Sequence, residues 1–224
     1  MNKKVLVTAG STKVPIDQVR AITNIFKGAT GTYIAKHFSK IGADVTLITS
    51  NPALAKGLEN NVRVIKYSTF NELAALMEFE IKNGGYDVIV HSSAVSDYKC
   101  EGVYQLDEGI FSSLDNKQKV SSKHEEIYLK LVPTEKLIDK IRGEWNFNGV
   151  LIKFKLEVGP TDKELIAIAK ASREFSRADL IVANCLEWSH LYAYVIDAEA
   201  NVEKVSRRSL PKALVEAIIK GGEK

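Results

Sequence analysis

The sequence predicts a doubly wound α/β domain, with a mostly parallel, Rossmann-like sheet and a small antiparallel edge near its C-terminus. Three observations carry this. Short apolar runs recur along the chain at Val5–Val7, Asp44–Thr49, Tyr86–Val90, Val150–Leu156 and Asp179–Asn184, as expected of strands buried on both faces. Stretches with helical spacing separate them, the alternation that builds parallel sheets with right-handed crossovers. Late in the chain, Leu191–Ile196 alternates Tyr192, Tyr194 and Ile196 against Ala193 and Val195. It pairs with Val202–Val205 across a turn at Glu199-Ala200-Asn201.

The first strand runs into Thr8-Ala9-Gly10-Ser11-Thr12, small residues around which a backbone can bend and be approached closely. A helix resumes only near Ala29, with Ile34, Ala35 and Phe38 on one face and Gly42 past its end. A strand-to-helix connection usually takes about 2–6 residues, and a much longer one is usually functional or disordered. Pro15 suits the first turn of a short helix on which Ile16, Val19 and Ile22 recur, and Gly28 and Gly31 bracket the next helix start. A glycine-rich turn beside a helix N-terminus is a place for an anion, commonly phosphate. A plain surface loop packed by Ile16 and Val19 is the alternative.

After the second strand, Asp44–Thr49, a dinucleotide fold would place an acid for the ribose hydroxyl. Thr49, Ser50 and Asn51 stand there, and no G-x-G-x-x-G precedes them, which counts against NAD. Val62–Tyr67 reads as a strand, and Phe70–Ile81 as a helix burying Leu73, Leu76 and Met77. The strand Tyr86–Val90 leads directly into His91-Ser92-Ser93-Ala94-Val95-Ser96-Asp97-Tyr98, where an open α/β sheet would have its ligand crevice. Asp97 reads there as site lining, or equally as a cap or turn residue. Lys99–His124 has no sustained periodicity and is expected to be a long mobile segment, a lid or an arm reaching a neighbour. Its Lys117, Lys119 and Lys123 are by themselves a solvated loop.

Ile127–Val132 reads as a strand, with Pro133 starting a helix that ends near Arg142-Gly143. Phe154 sits in the strand Val150–Leu156, where an aromatic is ordinarily core. Thr161 and Glu164 form a capping-box start to a helix through Phe175, and Pro211–Ile219 is a closing helix.

At 224 residues, 45% hydrophobic and 26% charged, the chain suits one globular domain over residues 1–224. A net charge of +3 is too small to argue for nucleic acid. The opening MNKKVLVTAG is too short in its apolar run for a signal peptide, and no stretch approaches the roughly 18 residues of a membrane span. Cys100 and Cys185 make neither a disulfide framework nor a metal motif. A cytoplasmic protein with both thiols reduced is expected, with no nucleic-acid or membrane partner.

VLVTAGSTKVPIDQVRAITN, with SSAVSDY and DLIVAN further on, resembles the phosphopantothenoylcysteine synthetase family. The resemblance covers nearly the whole chain. It begins at residue 4, so a standalone synthetase with no preceding flavin-binding decarboxylase domain is expected. It implies a ligase that joins 4'-phosphopantothenate to L-cysteine through an acyl nucleotide, with CTP or ATP as co-substrate, Mg2+ on the triphosphate, and a homodimer. CTP is favoured because the likeness is to bacterial members. The family's roles fall on Asn24 for the acyl oxygen and Lys119 for the phosphoryl centre, and Arg20, expected one helical turn before Asn24, can fork onto an anionic group. Gly10, Ser11, Thr12, Ala94, Asp97 and Phe154 line the nucleotide, and Asn184 lies on the substrate side. No residue is assigned to a metal. Phe26 and Lys27 stand where the family has serines, while Ser172 and Ser176, with Lys170 and Arg173 adjacent, stand where bacterial members carry nucleotide-reaching lysines. A short-chain NAD(P)-dependent reductase, kept open by Tyr98 and Tyr104, or a non-catalytic nucleotide-binding module are the alternatives.

Overall fold

The fold is described here from a computed structural model, covering residues 2–58 and 61–222. In chain order the elements are β1 (Lys4–Ala9), β2 (Lys13–Pro15), β3 (Ala21–Thr23), α1 (Ala29–Lys40), β4 (Asp44–Thr49), β5 (Val62–Lys66), α2 (Phe70–Asn83) and β6 (Val88–His91). There follow β7 (Tyr98–Asp107), β8 (Ile110–Leu114), β9 (Tyr128–Pro133), α3 (Leu137–Gly143), β10 (Val150–Glu157), α4 (Asp162–Phe175), β11 (Leu180–Cys185), β12 (Tyr192–Ile196), β13 (Val202–Ser206) and α5 (Leu210–Gly222).

Val5, Leu6 and Val7 are fully buried because β1 lies inside an eight-stranded sheet with helices on both faces. The strand order is β13-β12-β11-β10-β6-β1-β4-β5. The pairs from β5 to β11 are parallel, and β12 and β13 add the antiparallel edge predicted from Tyr192–Ile196. Alternate residues go to opposite faces. Val5, Val7, Val90, Ile152 and Val182 pack with Ile34, Phe38 and Leu214 of α1 and α5. Leu6, Ile89 and Leu151 pack with Leu73 and Met77 of α2 and Ile141 of α3. Ile181 and Ala183 meet Leu165 and Ala169 of α4. Thr161 opens α4 with the reciprocal cap read from sequence, its hydroxyl accepting from Glu164 N–H while Glu164 accepts from Thr161 N–H.

Three expectations are corrected. The helix read from Pro15, Ile16, Val19 and Ile22 is instead the β2–β3 hairpin. Val19 is 68% exposed, so there is no buried face for a helix to present. Asp17 organises the turn: Oδ1 accepts from Val19 and Arg20 N–H, both at 2.8 Å, in an Asx-type turn. The stretch Lys99–His124, read as lacking regular structure, holds most of β7 and all of β8. With β9 these form a three-stranded antiparallel sheet whose tight turn puts Glu108 and Gly109 at φ 48° and 82°. Only Gly102 and Val103 of β7 are buried, so its sequence carries no inside–outside alternation. Pro133 ends β9 rather than opening a helix, and α3 begins at Leu137.

Asp17 also ties this region together. Its Oδ2 accepts from Arg20 Nε and Nη2 at 2.9 and 2.5 Å and from Val120 N–H at 3.1 Å, while Arg20 Nη2 donates to Val120 O at 2.6 Å. The Arg20 guanidinium foremost, and then the N–H donors of Val19, Arg20 and Val120, hold the Asp17 carboxyl well below the usual carboxylate range. A lowered carboxylate stabilises the fold fully above its unfolded pKa of about 3.9, and that stabilisation is lost as the pH falls through the folded value. Asp17→Asn is therefore expected to be less stable than wild type in urea at pH 6. The difference should shrink steadily below about pH 4, and a difference unchanged at low pH would contradict the clamp.

Candidate active site

The parallel strands change direction of succession between β1 and β6, since β4 and β5 lie to one side and β10 and β11 to the other. Open α/β sheets bind ligands beyond the carboxyl ends of their strands at such a point. A cleft of about 660 Å³ opens there, lined by Gly10 after β1, the start of α1, residues 91–97 after β6, and parts of β10 and α4.

The glycines decide how closely its walls approach. Gly28 stands at the N-terminus of α1 with φ 87°, and a Cβ there would lie 2.5 Å from Gly10 N. The helix start is thus laid backbone to backbone against the end of β1, and no side chain caps it. Its positive dipole end faces the cleft through Ala29, Thr30 and Gly31. Arg207, from the turn before α5, donates through Nη2 to Thr30 Oγ1, and its Nη1 is buried without a partner. Across the cleft Asn184 is 7% exposed, and its buried Oδ1 also lacks a partner. A buried orphan donor and a buried orphan acceptor on one cleft are the pattern of a site that a ligand completes.

Of the residues singled out by sequence, Gly10, Asn24, Ala94, Asp97, Phe154 and Asn184 line the cleft. Asn24 Nδ2 donates to Ala94 O at 3.0 Å, which fixes the amide beside the residues after β6. Asp97 forms an ion pair with Lys136 at the start of α3. Ser11, Thr12, Arg20 and Lys119 do not line it. Ser11 N–H donates to Ser50 Oγ at 2.9 Å, its hydroxyl pairs with Thr23, and Thr12 N–H donates to Ala94 O. Thr12 Oγ1 accepts from Ser96 N–H at 2.8 Å. These groups bind the chain to itself, and the N–H donors of Ser11 and Thr12 are both taken within it. Arg20 and Asn24 do not stand one helical turn apart, because the hairpin replaces the helix. Arg20 is held in the Asp17 clamp, and Lys119 is exposed on the loop that the clamp secures.

The cleft also contains residues that sequence reasoning missed. Lys153 is 8% exposed on β10, its Nζ donating at 3.0 Å to Ser172 O, Ser172 Oγ and Ser176 Oγ. The two serines stand where the resemblance has lysines, and a strand lysine reaches them. A charge inside the apolar run VLIKFKL was the available signal. His91, paired in register with Lys153, shares a hydrogen bond with Thr8 Oγ1 at 2.9 Å. Burial first, and then the Lys153 charge, push its pKa down to about 4, so the imidazole is neutral at physiological pH. Among the described residues no group of three or more His, Cys, Asp or Glu side chains is placed to hold a metal ion. Both cysteines are free, and no described helix is long and apolar enough to cross a membrane.

Fold and cleft together define a Rossmann-like domain with a cleft at the sheet's switch point, where a helix N-terminus and a half-buried arginine suit an anionic group. Residues 1–219 match the family described as "DNA/pantothenate metabolism flavoprotein C-terminal domain", and the chain belongs to that family. It is similar to the coenzyme A biosynthesis bifunctional protein CoaBC of Thermococcus kodakarensis, 37% identical over 83% of this chain and 42% of the relative. The bifunctional protein CoaBC of Methanocaldococcus jannaschii is 30% identical over 97% of this chain and 50% of its own length. The chain thus spans about half the length of these curated relatives. Among solved structures, the DNA/pantothenate metabolism flavoprotein from Streptococcus pneumoniae superposes with a TM-score of 0.82 at 32% identity, over 97% of this chain and 99% of that one. The C-terminal domain of a CoaBC protein shares the fold, with a TM-score of 0.72 at 20% identity over 99% of this chain and 96% of that one. The family read from the opening residues is thereby borne out, and the reductase alternative is set aside. Tyr98 and Tyr104, which had kept it open, lie on β7 outside the cleft lining.

The His91 shift has a measurable sign. An unfolded histidine takes its proton near pH 6.5 and the folded His91 only near 4, so stability is complete above 6.5 and declines as the pH falls towards 4. In a proton-NMR titration the His91 ring signals should move near pH 4, well below the ordinary histidine value of about 6.5. A midpoint near 6.5 would show that the ring is not buried as described.

Proposed function

We propose that the chain is a phosphopantothenate–cysteine ligase acting in coenzyme A biosynthesis in the cytoplasm. The observation that carries the reading is the convergence of Asn24, Asp97, Asn184 and the uncapped start of α1 on one cleft, in a chain of this family. In the first half-reaction a carboxylate oxygen of 4'-phosphopantothenate attacks the α-phosphorus of CTP or ATP, and pyrophosphate leaves. In the second the cysteine amine attacks the acyl carbon, the nucleoside monophosphate leaves with the bonding electrons, and the amine loses a proton. Such chemistry needs positioned charge more than a protein nucleophile. Asn24 donates to the acyl oxygen without adding charge. Gly10 and the α1 N-terminus take phosphate, Phe154 lies against the base, Asp97 and Ala94 border the nucleotide, and Asn184 completes the wall. Magnesium, when bound, would offset charge on the triphosphate, and no described cluster of acidic, His or Cys side chains is placed to hold it.

Arg20 stands off the cleft of its own chain, bound with Asp17 to Val120, and Lys119 is exposed beside Val120. That placement supports a homodimer in which the clamp, and the 99–124 segment with it, covers the partner's site. Incubation with 4'-phosphopantothenate, cysteine and either CTP or ATP, with pyrophosphate assayed, tests the function and selects the nucleotide. Nucleotide binding without pyrophosphate release would favour a non-catalytic module, the outcome in keeping with Phe26 on the cleft wall.

Asn24→Asp is expected to separate the half-reactions. A carboxylate opposes the negative charge that develops when cysteine attacks, so acyl nucleotide should accumulate by mass spectrometry while the final product falls about 10²–10³-fold. Unchanged product formation would remove Asn24 from the chemistry. Lys119→Gln should slow activation by a similar factor of about 10²–10³, with Lys117→Gln and Lys123→Gln near wild type. Mixing Asn24→Asp with Lys119→Gln subunits should restore activity if the lysine acts across the dimer. No recovery, in a sample that light scattering shows to exchange subunits, would place Lys119 outside the partner's site.

A further inference from the structure

The cleft's cations are not equivalent. Lys136 is paired with Asp97, and Lys155 with Glu157 at 2.8 Å. Lys153, on the same wall, has no carboxylate within ion-pair distance among the described residues. Its three hydrogen-bond partners, Ser172 O, Ser172 Oγ and Ser176 Oγ, are all neutral, and Ser176 itself is buried. Its neighbour in register, His91, is uncharged, and the closest opposing influence is the more distant Asp139 of α3, which also lines the cleft. A buried ammonium that is hydrogen-bonded but not neutralised costs stability, and an apolar residue of similar size would avoid that cost. Its position on the cleft wall is what the cost secures.

We propose that Lys153 is an anion-recognition residue of this cleft: its three N–H donors go to Ser172 and Ser176, and a phosphoryl oxygen of the bound substrate takes the place of one of these neutral acceptors. The inference deepens the ligase reading and rests on it for the identity of the ligand, though not for the existence of the subsite. α1 and Arg207 lie against one face of the sheet, and Lys153 points to the face covered by α4, so the cleft offers positive groups on both sides of the strand ends. A substrate with two separated phosphate groups, or one long polyphosphate, has chemistry that spans them. The ammonium acts through a drier medium than a surface lysine, so its attraction for an anion is stronger at equal distance.

Isothermal titration of inorganic pyrophosphate, nucleoside triphosphate and 4'-phosphopantothenate into wild type, Lys153→Met and the exposed control Lys163→Met tests this without turnover. Lys153→Met should weaken at least one of these ligands about tenfold or more, as expected for loss of a charged hydrogen bond, while its melting temperature holds or rises. Lys163→Met should leave all three unchanged. Loss confined to pyrophosphate and triphosphate assigns the residue to the nucleotide's polyphosphate, and loss confined to 4'-phosphopantothenate assigns it to the phosphate of the acid. Equal affinities for a folded Lys153→Met overturn the proposal. Should that variant not fold, wild type still reports through His91. An anion on the ammonium relieves the repulsion felt by the ring, so saturating pyrophosphate or 4'-phosphopantothenate should raise its NMR midpoint from about 4. A midpoint that neither ligand moves overturns the proposal equally. Absence of pyrophosphate release by wild type would defeat the ligase reading while leaving these binding results standing.

Discussion

The contact between Gly10 and Gly28 is the constraint on which the site depends. Both have positive φ, 89° and 87°, and the space where a Cβ of Gly28 would lie is taken by the backbone of Gly10. Only with no side chain between them can the end of β1 and the start of α1 come so close, and only then does the helix aim its unpaired N–H groups over the strand ends. Gly31 repeats the condition one turn later, where a Cβ would collide with Ser92 Oγ at 2.4 Å and Ala9 Cβ at 2.7 Å. The cleft is therefore a product of backbone proximity before any polar side chain enters it.

Charge is then distributed in two different ways. Around Asp17 it is internally balanced: a carboxylate, a guanidinium and the Val120 peptide satisfy one another and fasten a loop to a hairpin. Around Lys153, Arg207 and Asn184 the balance is left open, with a cation among neutral partners and two buried polar atoms unpaired. Buried polar groups are ordinarily satisfied, so two unpaired atoms and an unneutralised ammonium on one cleft mark it as a place for a polar ligand.

The sheet was readable because burial on both faces leaves continuous apolar runs, and Asp44–Thr49 and the helix Asp162–Phe175 were bounded correctly from sequence. The hairpins β2–β3 and β7–β8 were not readable, for opposite reasons. Pro15, Ile16, Val19 and Ile22 imitate a helical stripe, but a local Asx turn at Asp17 takes the N–H groups that a helix would need. β7 is wet on much of both faces, so its residues have no periodicity to show. In the site, motif likeness found Asn24, Asp97, Phe154 and Asn184, whose places follow from strand ends. It could not find Arg207, which arrives from the last turn of the chain, or anticipate that Ser172 and Ser176 would be served by a lysine from a neighbouring strand.

The hydrogen bond between Thr8 and His91 joins residues 83 apart in sequence, across the central pair of strands β1 and β6. Chain entropy opposes such a closure until the intervening β4, β5 and their helices have compacted, which makes the central pairing a non-local event in folding. The pocket lies on that seam. A polypeptide emerging in order cannot assemble it from its N-terminal third, and local opening of the seam would dissolve it while the flanking halves of the sheet stayed paired. Substrate binding, drawing on residues from both sides, acts as a fastener across the least local join in the molecule and transfers its free energy to the cohesion of the whole sheet.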